Sequence, residues 1–428
     1  MIQEKNYWLE TVSIPAGDVG GLPEKVDVAV IGSGVTGLSA ARVLAKRGAK
    51  VAVLEAQTLG FGASSRNGGM VLSGMKLAVP ALISRYGREK VRRMHAASLA
   101  AIDCVEQIVR EESIECDFSR CGHLEVACKQ AHFDGYAKSA ALIEREFGHR
   151  LRVVGREELG QEIGSEIYFG GLVDDMSAGL NPARYVAGLV LAVRRARAAI
   201  FDHCPVQEVS SNTGEYIYRV QTSKGSLLAR DVILATGAYT DGVSPPLRKK
   251  IIPIGSYIIA TEILGQDLAR ELSPKNRMIY DSKHFLYYYR LTPDRRMLFG
   301  GRAAFFPETA NSVRRSAEIL RRGMVSVYPQ LREAKVEFVW GGTLDFAFDV
   351  MPHTGRIEGM HYAIGYAGHG MAFGTYLGTK IAEAICGDPN EQPFEGISFP
   401  TPPPGLRSGH TWALPLAGAY YKFLDWVS

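Results

Sequence analysis

The chain opens on a pattern that switches between periods. Val26 to Ile31 is an apolar run bounded by Pro23 and Gly32, the mark of a strand buried on both faces. Residues 37–47 then place Leu38, Ala41, Leu44 and Ala45 at helical spacing, and Gly48 stops the helix. Val51 to Leu54 is a second buried strand, so the start reads as a βαβ unit. Helical spacing returns over 88–111 and 131–147, with a short strand at Gly122 to Ala127 between them. Asn181-Pro182 starts another helix, with Asn as cap and Pro in the first turn, running to about Ala198. Val206 to Val209, Tyr216 to Thr222 and Val232 to Ala235 read as strands.

The stretch from about 250 to 337 differs in character. It carries strands at Gly255 to Glu262, Phe285 to Arg290 and Met297 to Gly301, and a helix at 309–326. Residues 338–388 return to a strand, a glycine-rich turn and a helix. This order predicts an α/β domain assembled from 24–85, 150–248 and 338–392, with an antiparallel domain from 86–149 and 249–337 inserted into it. A tail, 393–428, follows the proline patch Pro400 to Pro404. There is no internal repeat.

Composition narrows the class. The 428 residues are 46% hydrophobic and 22% charged with a net charge of +4, ordinary for a globular protein and without the basic stripe of a nucleic-acid binder. No run of 18 apolar residues predicts a membrane span, and Met1 to Glu10 does not read as a secretory signal. Six cysteines are too few for a disulfide framework, and a cytoplasmic protein with reduced thiols is expected. Cys116, Cys121, His123 and Cys128 lie close in sequence but lack a CxxC pair, so no metal site is expected.

The candidate chemistry begins at Gly32, Gly34 and Gly37, a GxGxxG placed between strand and helix. Gly32 permits the tight turn, Gly34 lets a pyrophosphate approach the backbone, and Gly37 lets helix and strand pack closely. Val35 and Thr36 open the helix, whose free N–H groups favour phosphate. Glu55, with Ala56 behind it, ends the second strand, where a carboxylate accepts hydrogen bonds from ribose hydroxyls.

The fingerprint alone does not choose the dinucleotide. The following segment does so by resemblance: Gly62-Ala63-Ser64-Ser65-Arg66-Asn67-Gly68-Gly69 is similar to the GxGaSxRNGG stretch of the D-amino-acid oxidase superfamily. Thr236-Gly237 resembles its ATG strand end, and Gly368-His369-Gly370-Met371 the turn that aims a helix N-terminus at the flavin. Val206 stands where the family contacts adenine, and Gly341 lies in the matching stretch WGGTLDF. Within the superfamily the chain resembles amine oxidoreductases of the gamma-glutamylputrescine oxidase and L-pipecolate oxidase type. The shared stretches are GFGASSRNGGM, YYYRLTPDRRMLFGG, WGGTLDF followed by MPHTGR, and LPLAGAYYKFLDW. The resemblance implies a Rossmann-type FAD-binding domain with an inserted antiparallel substrate domain. It also implies hydride transfer from a carbon bearing nitrogen to flavin N5, hydrolysis of the imine, and molecular oxygen as acceptor.

Three departures matter. Sarcosine oxidases tether flavin through a Cys in the region of 341–349; none occurs here, so FAD is expected to be non-covalent. Thr343, Leu344 and Asp345 stand where glycine oxidase carries a carboxylate-binding Arg. Leu298 stands where sarcosine oxidases carry a Lys linked with oxygen activation, so the acceptor is left open.

For the substrate pocket the candidates are Tyr257, Tyr287, Arg302, Trp340 and His369, with Tyr288 and Tyr289 alongside. Alternation puts Tyr287 and Tyr289 on one face and Tyr288 on the other, and one face alone can line a pocket. Arg302 could hold an anionic group or be a surface residue; Trp340 could wall the flavin or pack the core. His369 could touch substrate or make a structural bond, and His284 and His353 read as structural. Two other classes remain on the same motifs: a non-oxidase flavoprotein such as a tRNA-modifying one, and an FAD-holding subunit of a larger dehydrogenase.

Overall fold

The computed structural model describes residues 2–301, 310–388 and 392–403. The βαβ opening forms as expected: Lys25–Ile31, the helix Val35–Lys46 and Val51–Leu54. Lys25–Ile31 pairs in parallel with Val51–Leu54 on one side and Gly225–Leu234 on the other. Ala199–Phe201 and Met360–Ile364 extend the parallel sheet outward, and His353–Ile357 closes its edge antiparallel. An antiparallel pair, Val206–Ser211 and Tyr218–Thr222, joins through Gly225–Leu234. Val28, Val30, Val51 and Val53 are buried beneath the helices, as a doubly covered parallel sheet requires.

The second sheet runs Val336–Ala347, Ile251–Thr261, Met297–Gly301, Tyr287–Leu291, Met278–Asp281, His123–Val126, Gly170–Asp174, Arg152–Gly155. Every pairing is antiparallel except Met278–Asp281 with His123–Val126. Its composition corrects the expected boundaries. The strands at 152–155 and 170–174 belong to this sheet, and so does Val336–Ala347, which pairs along the length of Ile251–Thr261. The helix Arg88–Glu111 moves the other way: Met94, Ala101, Ile102 and Val105 pack into the core of the dinucleotide domain. Local pattern shows that an apolar face needs a partner but not which layer supplies it.

The two faces of the second sheet have different covers. One packs Tyr257, Tyr289, Phe299 and Val339 against Leu320 and Met324 of the helix Ala310–Val327. The other, carrying Glu125, Tyr280, Tyr288 and Ser256, looks into a cavity shared with the first sheet. The helix Gly370–Ile385 locks onto Val35–Lys46 through small residues. A Cβ on Gly378 would overlap Thr36 O, and one on Gly374 would stand 2.9 Å from Thr36 Oγ1.

Candidate functional site

The cavity measures about 1600 Å³ and begins at the carboxyl ends of the parallel strands, where Ile31, Leu54 and Ala235 open into loops. Gly32 has φ +106, and a Cβ there would meet Ala235 O at 2.6 Å. Gly34 caps the Val35–Lys46 helix with no side-chain hydrogen bond of its own. Its would-be Cβ points at Ser64 Oγ, 2.8 Å away. Ser64 Oγ in turn accepts from Val35 N–H at 3.0 Å. The motif glycine therefore also leaves space for a serine from the following loop to dock on the helix start. Gly37 packs against the backbone of Gly32, away from the cavity lining.

Glu55 Oε2 accepts from Ser33 N–H at 2.9 Å and Ser33 Oγ–H at 2.7 Å, and Oε1 accepts from Gln57 N–H at 3.0 Å. The carboxylate braces the phosphate turn besides facing the cavity with Ala56.

The loop Gly62 to Gly69 is tied inward. Asn67 Nδ2 donates to Ala63 O and Ser64 O, both at 3.0 Å, and Asn67 Oδ1 accepts from Gly69 N–H at 2.7 Å. Arg66 Nε donates to Phe61 O at 2.7 Å, with its guanidinium over the Phe61 ring. Gly62, Ala63, Ser64, Asn67 and Gly68 line the cavity. Arg66, Gly69 and Gly341 stand behind them, Arg66 joined to Gly341 O at 3.4 Å. Val206, Thr236 and Gly237 line the same end.

Gly368, His369, Gly370 and Met371 line the cavity at the N-terminus of Gly370–Ile385, with Met371 Sδ 3.1 Å from Asn67 Nδ2. His369 caps this helix with no side-chain hydrogen bond, and its half-exposed ring faces the cavity. Burial, reinforced by Lys76 and His123, pushes its pKa down to about 3, so the ring is neutral at working pH. Asp345 anchors the turn: Oδ2 accepts from Gly365 N–H at 2.7 Å, and burial raises its pKa to about 6.

The substrate candidates sort by face. Tyr257 and Tyr287 do not line the cavity. Tyr257 is buried under the Ala310–Val327 helix, and Tyr287 packs against Phe299 and beneath the Lys283 ammonium. Tyr289 is on that face too, stacked on Phe299. Tyr288 lines the cavity, 3.1 Å from Ser256 Oγ. Trp340 is on the cavity-side face, but Tyr7 and Trp8 cover it, and its indole N–H donates to Arg66 O at 2.9 Å. It braces the loop instead of walling the cavity. Arg302 and the LPLAGAYYKFLDW stretch lie outside the described residues. His353 stacks on Phe399 and bonds Asp349, and His284 lines the cavity.

Sequence reading missed a polar row. His95 Nε2 bonds His149 Nδ1 at 3.0 Å, His149 Nε2 bonds Asp174 Oδ1 at 3.1 Å, and Ser73 Oγ donates to Asp174. His123 Nδ1 bonds Ser177 Oγ at 2.8 Å, and Tyr280 OH lies 3.2 Å from His123 Nε2. His95, His123, Asp174 and Tyr280 come from four separate elements and Ser73, His149 and Ser177 from the loops between, so no sequence spacing joins them; alternation of His123 and Glu125 on one strand was the available signal. Among the described residues no cluster could hold a metal ion, and no helix is long and apolar enough to cross a membrane.

The sequence profile described as "FAD dependent oxidoreductase", DAO, matches residues 27–384, most of the chain. The chain belongs to the DAO family of FAD-dependent oxidoreductases. Among DAO-family relatives, the Haemophilus influenzae protein described as "probable oxidoreductase OrdL" is 36% identical over 409 residues, 94% of this chain and 92% of that one. Gamma-glutamylputrescine oxidoreductase of Escherichia coli is 32% identical, covering 93% of this chain and 92% of its own. The fold is shared with glycine oxidase from Geobacillus kaustophilus, at TM-score 0.70 and 19% identity over 87% of this chain and 98% of that one. It is shared also with L-amino acid deaminase from Proteus myxofaciens, at TM-score 0.73 and 15% identity over 91% and 96% of the two chains. The DAO-family fold and FAD as cofactor thus agree with the sequence expectation.

The geometry fits the cofactor. Two helix N-termini without side-chain caps, at Gly34 and His369, face one cavity long enough to span from the Glu55 carboxylate to the second sheet. Gly32, Gly34, Val35, Thr36 and Ser64 line this cavity beside the Gly34 helix start and could hold a pyrophosphate there; Glu55 and Val206 line it too, and Gly370 and Met371 line it at the His369 helix start.

Proposed function

We propose that the protein oxidises the carbon–nitrogen bond of an amine with an extended body, or of an N-substituted amino acid, using non-covalently held FAD. The observation that carries this reading is the continuity of one cavity from the dinucleotide cradle to the Tyr288 face of the second sheet. Bound FAD would supply a two-electron acceptor for a hydride from the carbon that bears nitrogen, and water would hydrolyse the resulting imine.

The chain's own part is positioning. The second sheet and the loop at Gly68 confine the substrate between them, with Tyr288 against that loop: a Cβ on Gly68 would stand 3.1 Å from the Tyr288 ring. Neutral His369 adds no positive charge beside the amine that must lose a proton. The N-terminus of Gly370–Ile385 favours negative charge on the reduced flavin. Thr343, Leu344 and Asp345 line the cavity where an α-carboxylate clamp would need a cation, which disfavours glycine and sarcosine. The relative named gamma-glutamylputrescine oxidoreductase supports an extended amine.

Molecular oxygen is the proposed acceptor. One observation favours a second reading, a dehydrogenase serving another acceptor: Leu298 packs with Ile258 and Trp340, leaving no ammonium on that strand position. An amine and amino-acid panel with parallel peroxide and dye-reduction readouts tests both. Extended amines should be turned over with peroxide formed. Dye reduction without peroxide selects the dehydrogenase, and efficient turnover of glycine contradicts the substrate class. Arg302→Ala should raise KM for an anionic substrate with flavin content intact.

A further inference from the structure

Glu125 is a carboxylate in the cavity wall without a cation of its own. It sits on His123–Val126, is partly buried and lines the cavity. Tyr136 OH donates to Oε1 at 3.2 Å, and Tyr280 is its neighbour on the adjoining strand. Among the described residues it makes no ion pair. Burial raises its pKa, and the charge of exposed Lys76 acts in the opposite sense. Glu146 is paired with Arg88 and Arg92 and Glu162 with Arg152 and Arg277, while buried Asp345 is held by the Gly365 N–H. A buried carboxylate is costly unless something positive meets it.

Its place in the sheet says what that is. Glu125 is directly opposite Tyr280, and Tyr280 directly opposite Tyr288, so the three form one row on the cavity face. Tyr288 abuts the Gly68 loop at the dinucleotide end. Two strand spacings of ~4.8 Å put Glu125 roughly 10 Å farther from that end. It faces Tyr136 on the helix Gln130–Phe147, at the end of the row farther from the Gly68 loop.

We propose that Glu125, framed by Tyr136 and Tyr280, is a subsite for a second, cationic amino group of the substrate, distal to the amine that is oxidised. The preferred substrates are then amines carrying a further basic nitrogen. The distal ammonium gains a charge-assisted bond to the carboxylate and stands beside two aromatic rings, while the chain between the nitrogens lies along Tyr288. This rests on the amine-oxidising function proposed above.

The test compares straight-chain α,ω-diamines with n-alkyl monoamines of equal length, by kcat/KM on the FAD-loaded wild type and on Glu125→Gln. The wild type should prefer the diamine by about ten- to a hundredfold. Glu125→Gln, which keeps the shape and the Tyr136 bond, should erase that preference through KM, with flavin content as in the wild type. Tyr136→Phe should raise KM for the diamine by a few fold, and decides the matter should the Gln variant not fold. Monoamines oxidised as well as diamines by the wild type, a preference that survives Glu125→Gln, or an unchanged Tyr136→Phe overturns this inference alone. A flavin that neither class of amine reduces overturns this inference, and one that N-substituted amino acids also fail to reduce overturns the function it rests on.

Discussion

At the scale of single residues, the dinucleotide cradle depends on space as much as on charge. Gly34 has φ −73, a value any residue adopts, so its glycine is required by what would sit on the Cβ and not by backbone conformation. Gly34→Val should displace Ser64 from the helix start as well as block the pyrophosphate, and abolish FAD binding. Flavin absorbance after reconstitution and desalting checks this; full occupancy in the variant would mean the cradle is elsewhere. Glu55→Ala removes ribose contacts and three bonds that brace the Ser33 and Gln57 backbone. It should weaken FAD by about 1.5–3 kcal/mol, roughly ten- to a hundredfold in Kd, read by titration.

At the scale of elements, the faces of one strand decide which tyrosines matter. Tyr288→Ala should raise KM for the substrate while leaving stability close to the wild type, because its ring borders the cavity. Tyr289→Ala should behave oppositely, costing about 3–5 kcal/mol of stability from a fully packed site with little direct effect on substrate binding. Kinetics and chemical denaturation of the two variants separate these outcomes. If Tyr289→Ala alone changed KM, the faces would be assigned the wrong way round.

The alternation of Tyr287, Tyr288 and Tyr289 was legible in the sequence because a strand has period two. The cavity-facing side was not, because it depends on where the helix Ala310–Val327 docks. The same limit explains Trp340, which shares a face with the cavity but is covered by Tyr7 and Trp8 from the far end of the chain. The βαβ motif was readable in full because strand, turn, helix and acid are contiguous. The His95–His149–Asp174 row was not, because its members meet only after both sheets have assembled. Gly374 and Gly378 carried a readable signal, two small residues on one helix face, which their contact with Thr36 accounts for.

At the scale of the molecule, that row joins the two domains and makes stability depend on pH. Burial, with His149 beside it, lowers the pKa of His95 to about 4 from 6.5, so the folded state holds the ring neutral. Between these values the unfolded chain binds a proton that the folded one refuses, so stability falls as pH drops from 6.5 towards 4. Asp174 acts in the same sense at lower pH. Burial would raise it, but its bonds to His149 and Ser73 and the charge of His123 hold it below the ordinary carboxylate value. Its stabilisation is therefore lost as pH falls below 3.8. Thermal melts from pH 8 to 4 should show Tm decreasing through this window. His95→Gln should flatten the decrease by on the order of 1–3 kcal/mol. An identical slope in the variant would place the acid sensitivity in other groups.

The central claim is that this DAO-family chain holds FAD and reduces it with electrons from a carbon–nitrogen bond. The most direct measurement is anaerobic mixing of the purified holoprotein with amines and amino acids while flavin absorbance is followed. The protein should be yellow, with flavin that is released on denaturation and is bleached by extended amines or N-substituted amino acids faster than by glycine. A flavin that no amine or amino acid bleaches, in a protein that binds FAD fully, would contradict it.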